Sequence, residues 1–386
     1  MKVRLLTLAA LAAFTLNSTS VAQQGDNLDR ALADLNSGIV APTMGGASAS
    51  GSTGVDFSGD ARARNSWTGG PLVDGVWTSG PSWVDTRVRA NMHFAVNESS
   101  SAFVQWTGTE TWGSAASLAE NGATGNISQA WFSTSNLLSM GADWKMGRSY
   151  MTVGSGMVLG SSEWDQRPST WSGVWISSDA AGLAIDAFAI NGGALANEEM
   201  WGLSTSLGLG DNGFINAIDP WYIAGADGSE ATWMGASAGG TVAMLDWSAD
   251  WANHEDGATD DSATSVSVSM GMGDMSGGFI NSISYTMTDA DGDVTIDAAD
   301  WNSAGLIAGS TGDGAWSDEL ETTQIGLCLD IMEGYDVGVN WIDDGGDDNE
   351  TDITVSRALG GGVDAWVGYG SQGDDEVGYI QLSLNF

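Results

Sequence analysis

Cysteine occurs once in this chain of 386 residues, at Cys328, so no internal disulfide framework holds the fold. Histidine occurs twice, at His93 and His254, which provides no Cys/His spacing for a structural zinc. No Gly-rich phosphate loop stands between a strand and a helix, and His93 is the one strand residue that could serve a Ser-His pair, so the chain is expected not to be an enzyme and to carry no resident organic cofactor. Long apolar runs are missing as well: no stretch reaches the roughly 18 to 20 apolar residues that a spanning helix requires. A path across a membrane would therefore be built from strands. Basic residues are scarce, 11 against 50 acidic ones, and the formal net charge of -39 excludes nucleic acid as a partner.

What is present begins with a leader. Residues 1–22 carry Lys2 and Arg4, then an apolar stretch, then Ser20 and Ala22 before Gln23, which is the layout of a cleaved secretory signal. Residues 23–53 are polar and rich in Gly, Ala and Ser, with a weak helical stripe at Leu28, Ala31, Leu32 and Leu35; they are expected to form a periplasmic tail. Once the leader leaves with Lys2 and Arg4, 9 basic residues face 50 acidic ones, a net charge of -41.

Beyond this point the period switches to two, and residues 54–386 read as a β-barrel. Val55, Phe57, Ala61 and Ala63 alternate with Asp56, Ser58, Asp60, Arg62 and Arg64; Val84, Thr86, Val88, Ala90, Met92 and Phe94 alternate with Asp85, Arg87, Arg89, Asn91 and His93. Continuing the pattern to the end gives eighteen strands, with sixteen as the alternative, in an antiparallel up-and-down transmembrane barrel. Long connections at 68–82, 113–126, 149–170, 191–199, 252–262 and 289–321 alternate with tight turns at 97–100, 136–139, 179–181, 210–212, 238–240 and 333–334. Long external loops opposite short periplasmic turns are the asymmetry of a membrane barrel. A hydrophobic content of 42% and a mean hydropathy of -0.06 fit such alternation, and 55 Gly with 19 Trp fit tight turns and interfacial girdles. Trp67, Trp83, Trp112, Trp171, Trp251 and Trp341 fall near strand ends.

The chain closes on alternating Ile380, Leu382, Leu384 and Phe386. This ending resembles the last strand of outer-membrane barrels of Gram-negative bacteria. The resemblance implies the outer membrane as compartment, lipid and lipopolysaccharide as surroundings, and recognition of strand 376–386 by the barrel-assembly machinery.

Arg62, Arg64, Arg87, Arg89 and His93 share the polar face of the first two strands, where water in a lumen would solvate them; a guanidinium facing lipid at mid-depth costs roughly 2 to 4 kcal/mol. They form either a basic stripe on a pore wall or a structural ladder with Asp56, Asp60 and Asp85, and the two readings are compatible. The connection 149–170 is too long to hang free and carries Glu163, Asp165 and Arg167. By analogy with trimeric diffusion porins, it is expected to fold inward to narrow the channel, and the same analogy raises a homotrimer that no feature of the sequence decides. Asp289, Asp291, Asp293, Asp297 and Asp300 match part of a calcium-loop spacing, although Val294 stands where the turn glycine belongs. The acidic run 343–350 has no ligand spacing.

Asp143-Trp144-Lys145-Met146-Gly147-Arg148, Gly154-Ser155-Gly156, Gly160-Ser161-Ser162-Glu163-Trp164-Asp165 and Trp171-Ser172-Gly173-Val174 resemble the alginate-export family of outer-membrane barrels, as do Ala102-Phe103-Val104-Gln105-Trp106 and Gln129-Ala130-Trp131 upstream. The match spans roughly residues 86–190. It implies an eighteen-stranded barrel, Arg148 as the lumenal arginine and Trp164 as a loop anchor, and Lys145 is expected to line the pore beside Arg148. Ser169, Ser172 and Trp175 depart from the family's charged positions.

These readings converge on a passive channel for small hydrophilic solutes that prefers cations, because the acidic excess concentrates them. A dedicated polysaccharide or oligosaccharide channel and a non-conducting surface barrel are the alternatives.

Overall fold

Alternation of apolar and polar side chains over the second residue cannot bury a strand on both faces, so the strands must separate two environments, and closure removes the edges that would otherwise aggregate. The computed structural model describes residues 54–386 apart from 74–75, 113–123, 138–140, 162–166, 181–182, 193–194, 211–213, 226–230, 258, 273–278, 293, 295, 297–319, 333, 344, 346–348 and 374. The leader 1–22 and the tail 23–53 lie outside the described residues.

The chain forms an 18-stranded antiparallel barrel. Its strands are β1 (Gly54–Val73), β2 (Val76–Asn97), β3 (Ser100–Trp112), β4 (Thr124–Thr134), β5 (Ala142–Ser149), β6 (Trp171–Ala180), β7 (Leu183–Gly192), β8 (Leu195–Gly208) and β9 (Ala217–Gly225). The second half comprises β10 (Thr232–Val242), β11 (Leu245–Asp256), β12 (Thr259–Gly271), β13 (Ile280–Asp291), β14 (Leu320–Met332), β15 (Tyr335–Asp343), β16 (Glu350–Gly360), β17 (Val363–Gln372) and β18 (Asp375–Asn385). Each strand pairs with its sequence neighbours, and β1 closes the ring by pairing with both β2 and β18.

Each of the eighteen expected strands is present. Several boundaries differ from the expectation, among them the connection expected at 252–262, which is nearly all strand because the β11–β12 ladder runs on to Asp256↔Thr259. The connections expected at 68–82 and 191–199 are largely strand, because the β1–β2 and β7–β8 hairpins run on to Val73↔Val76 and Gly192↔Leu195 through register shifts that absorb their Gly residues. The turn expected at Ala238–Gly240 lies farther on, at Ala243 and Met244; Ala243 takes a positive φ of 57°, and the small residues 238–240 stay in β10.

The outer face is apolar: Phe57, Val88, Trp106, Phe132, Met146, Leu203, Met234, Trp251, Tyr285, Met287, Ile325 and Val367 are exposed, as are Ile380, Leu382, Leu384 and Phe386. The inner face carries Asn91, Gln105, Thr107, Ser265, Ser267, Thr286, Thr288 and Asn340. This is the inverse of a soluble domain and suits hydrocarbon outside with polar groups within. Cys328 lies on the inner side, opposite Ser282 and Gly338.

Glycines and aromatics are coupled. The Trp106 indole lies across the cross-strand pair Gly108↔Gly125, where a Cβ on either would overlap it. Trp67 covers Gly378 in the same way, and Trp221 covers Gly235. Part of the Gly content is thus space for rings, which shield backbone that glycine leaves bare. Pro220, inside β9, lacks an N–H and sits where the β8–β9 register skips from Ser204↔Trp221 to Leu207↔Ile218.

Candidate pore wall and constriction

Three rungs of the β1–β2 register set the basic wall: Asp60↔Arg89, Arg62↔Arg87 and Arg64↔Asp85. Like charges meet at the middle rung, and carboxylates flank it above and below. Arg89 Nε donates to Asp60 Oδ2 at 2.6 Å, while Arg87 Nη2 lies 3.6 Å from Asp60 Oδ1. Arg64 Nη2 reaches Asp85 Oδ2 at 3.3 Å, and Thr111 Oγ1 donates to Asp85 Oδ1 at 3.1 Å. All four guanidinium side chains are buried on the inner face, Arg89 to 2% exposure. Asp60 and Asp85 thus stand among the four guanidinium groups, Asp60 serving both Arg87 and Arg89. This is the cross-strand ladder with Asp60 and Asp85 that the alternation allowed. Asp56 is exposed, and His93 sits half-buried on the same face between Asp56 and Phe103 in register.

A polar belt continues this wall across β2 to β5. Gln105 Nε2 donates to Asn91 Oδ1 at 2.9 Å, and Gln129 Nε2 donates to Gln105 Oε1 at 3.2 Å. Ser149 Oγ donates to Gln129 Oε1 at 3.3 Å and accepts from Lys145 Nζ at 2.9 Å. Arg148 stands exposed at the end of β5, where its Nε donates to Thr170 Oγ1 at 2.7 Å. It lines a pocket of about 180 Å³ with Tyr150, Arg167, Thr107 and Ser128. The β4–β5 ladder stops at Ala130↔Arg148, so the pocket forms where β4 runs on without a β5 partner.

The connection 150–170 turns into the barrel. Met151, Val153, Met157, Val158 and Leu159 pack with Trp171, Phe188, Ile190, Met200, Trp221, Ile223 and Trp233 of the facing wall, and Leu159 and Trp171 are 0% exposed. Val153 and Leu159 form an isolated bridge, and Ile296 N donates to Val158 O at 2.9 Å, tying in the β13–β14 connection. At its other end Arg167 Nε donates to Thr109 Oγ1 at 3.1 Å on β3. Glu163, Trp164 and Asp165 lie outside the described residues. Trp171, expected at the membrane interface, is instead covered by this loop, because β6 begins inside the apolar plug.

The sequence reading missed this apolar patch inside the barrel. Its signal was the cluster Met157-Val158-Leu159 within a Gly/Ser-rich loop, together with inward Phe188, Ile190, Trp221 and Trp233. Acidic side chains lie on the same half of the ring: Asp186 on β7 accepts from Ser177 Oγ at 3.1 Å, and Asp219 and Asp250 both stand opposite Ser237. The strand order places β10 halfway round from β1. The inner wall of this half is therefore apolar with scattered carboxylates, while the arginine half also carries buried Glu350 and Asp352 on β16.

Asp289 and Asp291 belong to the end of β13 and are exposed; Asp293, Asp297 and Asp300 lie outside the described residues. Among the described residues no group of three or more His, Cys, Asp or Glu side chains is gathered to hold a metal ion.

No family model matches the chain, and no curated protein matches it in sequence; the alginate-export resemblance is thus not carried to family membership. Solved structures do share its fold. OccK2 (OpdF) of Pseudomonas aeruginosa, solved in complex with glucuronate, superposes with a TM-score of 0.63 at 12% identity over 89% of this chain and 99% of that one. OpdK of the same organism with vanillate gives 0.61 at 12% identity over 86% and 98%, and OccAB2 of Acinetobacter baumannii gives 0.55 at 11% over 86% and 98%. The chain thus shares with these structures the fold of a closed eighteen-stranded antiparallel β-barrel.

Proposed function

We propose that this barrel is a porin, a passive channel through which small hydrophilic solutes cross the outer membrane. The observation that carries the reading is the inward course of Met151 to Leu159, which pack on the inner wall of a barrel whose inner face is otherwise largely polar. The apolar half of the loop packs on β6–β13, and the arginines of β1 and β2 sit across from it. Sieving by the remaining width, with a transverse field between the wall arginines and the carboxylates across the lumen, is the mechanism. The net charge of the chain favours cation preference in simple salts.

A second reading is favoured by the arginine wall: selective passage of small carboxylates. Two neighbours of the same fold were solved with glucuronate and with vanillate, both carboxylates. Current through reconstituted protein under a potassium chloride gradient tests both. A reversal potential on the cation side supports the first; one on the anion side that moves with Arg87→Gln supports the second.

A polysaccharide track would instead show saturable block by a sugar polymer, and a surface barrel without transport would show no conductance. We place the homotrimer and the handling of the C-terminal strand by the assembly machinery within the same proposal. Native-gel mass before and after heating separates one chain from three.

A further inference from the structure

Aromatic side chains of membrane barrels ordinarily face the interfacial lipid, where an amphipathic ring is stable. In this barrel a row of them faces inward on neighbouring strands, towards the turn end. Phe103 and Trp131 stack with centroids 5.2 Å apart and an interplanar angle of 22°. Lys145 Nζ lies 5.4 Å from the Trp131 ring centroid and 4.9 Å from that of Trp175. The alternation fixes their direction: Phe103 shares its face with Gln105, Trp131 with Gln129 and Lys145 with Ser149, while the intervening Trp106, Phe132 and Met146 are exposed on the outer face.

Two features set this row apart from the rest of the lumen. Trp171, Phe188, Trp221 and Trp233 are sealed beneath the loop, whereas Phe103, Trp131 and Trp175 are only half-buried and keep part of their surface on the lumen. The cation differs too. Arg64, Arg87 and Arg89 each have a carboxylate, but among the described residues no carboxylate lies within ion-pair distance of Lys145. Its described hydrogen bond is to Ser149 Oγ, and an ammonium has three N–H donors. The two indoles hold the charge in place by cation–π attraction without neutralising it. Trp175 is itself fixed, its Nε1 donating to Met151 Sδ at 3.3 Å.

We propose that Trp131, Lys145 and Trp175 form a subsite for a small carboxylate carried on an aromatic ring, the ammonium taking the carboxylate and an indole taking the ring. The assignment rests on the channel reading and adds to it a residue that discriminates among solutes. Block of potassium chloride current in planar bilayers by benzoate, with acetate as the ringless control, tests it. Wild-type protein is expected to be blocked at roughly tenfold lower benzoate than acetate, since ring stacking adds to the charge contact. Lys145→Met should weaken benzoate block about tenfold or more relative to its own unblocked current, the loss expected for a charge-assisted hydrogen bond. Trp131→Leu, or Trp175→Leu if the first fails to fold, should remove the advantage of benzoate over acetate. Equal block by the two acids in wild type, or unchanged block in Lys145→Met, overturns the subsite. If no current flows at all, the channel reading fails by itself, and equilibrium dialysis of benzoate against the detergent-folded barrel decides the subsite: tighter binding by wild type than by Lys145→Met upholds it, and equal binding overturns it.

Discussion

Gly59 and Phe386 close the barrel: each backbone N–H donates to the other's carbonyl, at 2.8 Å and 3.0 Å, and the Phe386 ring lies where a Cβ on Gly59 would stand. Gly59→Val should therefore displace the last residue and open the β1–β18 seam. Lost hydrogen bonds of about 1 kcal/mol each add to the clash. The folded form should lose its resistance to unfolding in dodecyl sulfate at a lower temperature, read as the gel-mobility transition. Gly54→Ala, where a Cβ meets nothing within 4 Å, should leave that temperature unchanged.

Asp60 serves two arginines at once. Asp60→Asn removes the shared carboxylate and leaves the Arg62↔Arg87 rung with one flanking anion instead of two. Removing one partner of a buried pair costs up to about 3–5 kcal/mol in a dry interior, and lumenal water should reduce that. A lower thermal midpoint together with a shift of reversal potential towards anions is the expected pair of results.

Cys328, the sole cysteine, supplies a probe of the lumen without any engineering. It lies half-buried on the inner face beside Ser282, with Asn281 Nδ2 4.0 Å from its Sγ. A small charged thiosulfonate reagent should modify it in the folded, membrane-inserted protein and lower the conductance. Cys328→Ser should abolish both effects, and a Cys328 that reacts only after unfolding would argue against a wet lumen at this depth.

Leu159 is fully buried between the loop and the inner wall. Leu159→Ala should cost about 2–5 kcal/mol by the cavity it leaves, and it should also raise single-channel conductance and its noise as the loop loosens. Stability measured by heat-shift and conductance measured in bilayers should move together.

The strand pattern was legible because membrane insertion leaves an unusually clean code: every second residue faces hydrocarbon, and both neighbours of each strand are its neighbours in sequence. The wall arginines followed from that code, since Arg62, Arg64, Arg87 and Arg89 fall on the polar register and cannot point outward cheaply. Their carboxylate partners followed from the cross-strand pairing of Asp60 and Asp85. What stayed hidden were side chains that break the code. Trp221, Ile223 and Trp233 face inward although apolar, because a distant segment, 151–159, covers them; no local period records a contact made by a folded-in loop. Turn position suffered for a related reason. Ala238-Gly239-Gly240 has turn composition, yet in β10 it faces neighbours for which small residues suffice, and the reversal falls on Ala243.

The loop that narrows this passage is held by the same apolar packing that braces half of the wall. Bore and sturdiness are accordingly linked properties: a change that enlarges the opening by freeing residues 151–159 also removes an internal brace. Evolution of a wider passage from this chain would have to proceed from the opposite flank, by trimming arginines, and would change what passes as well as how much.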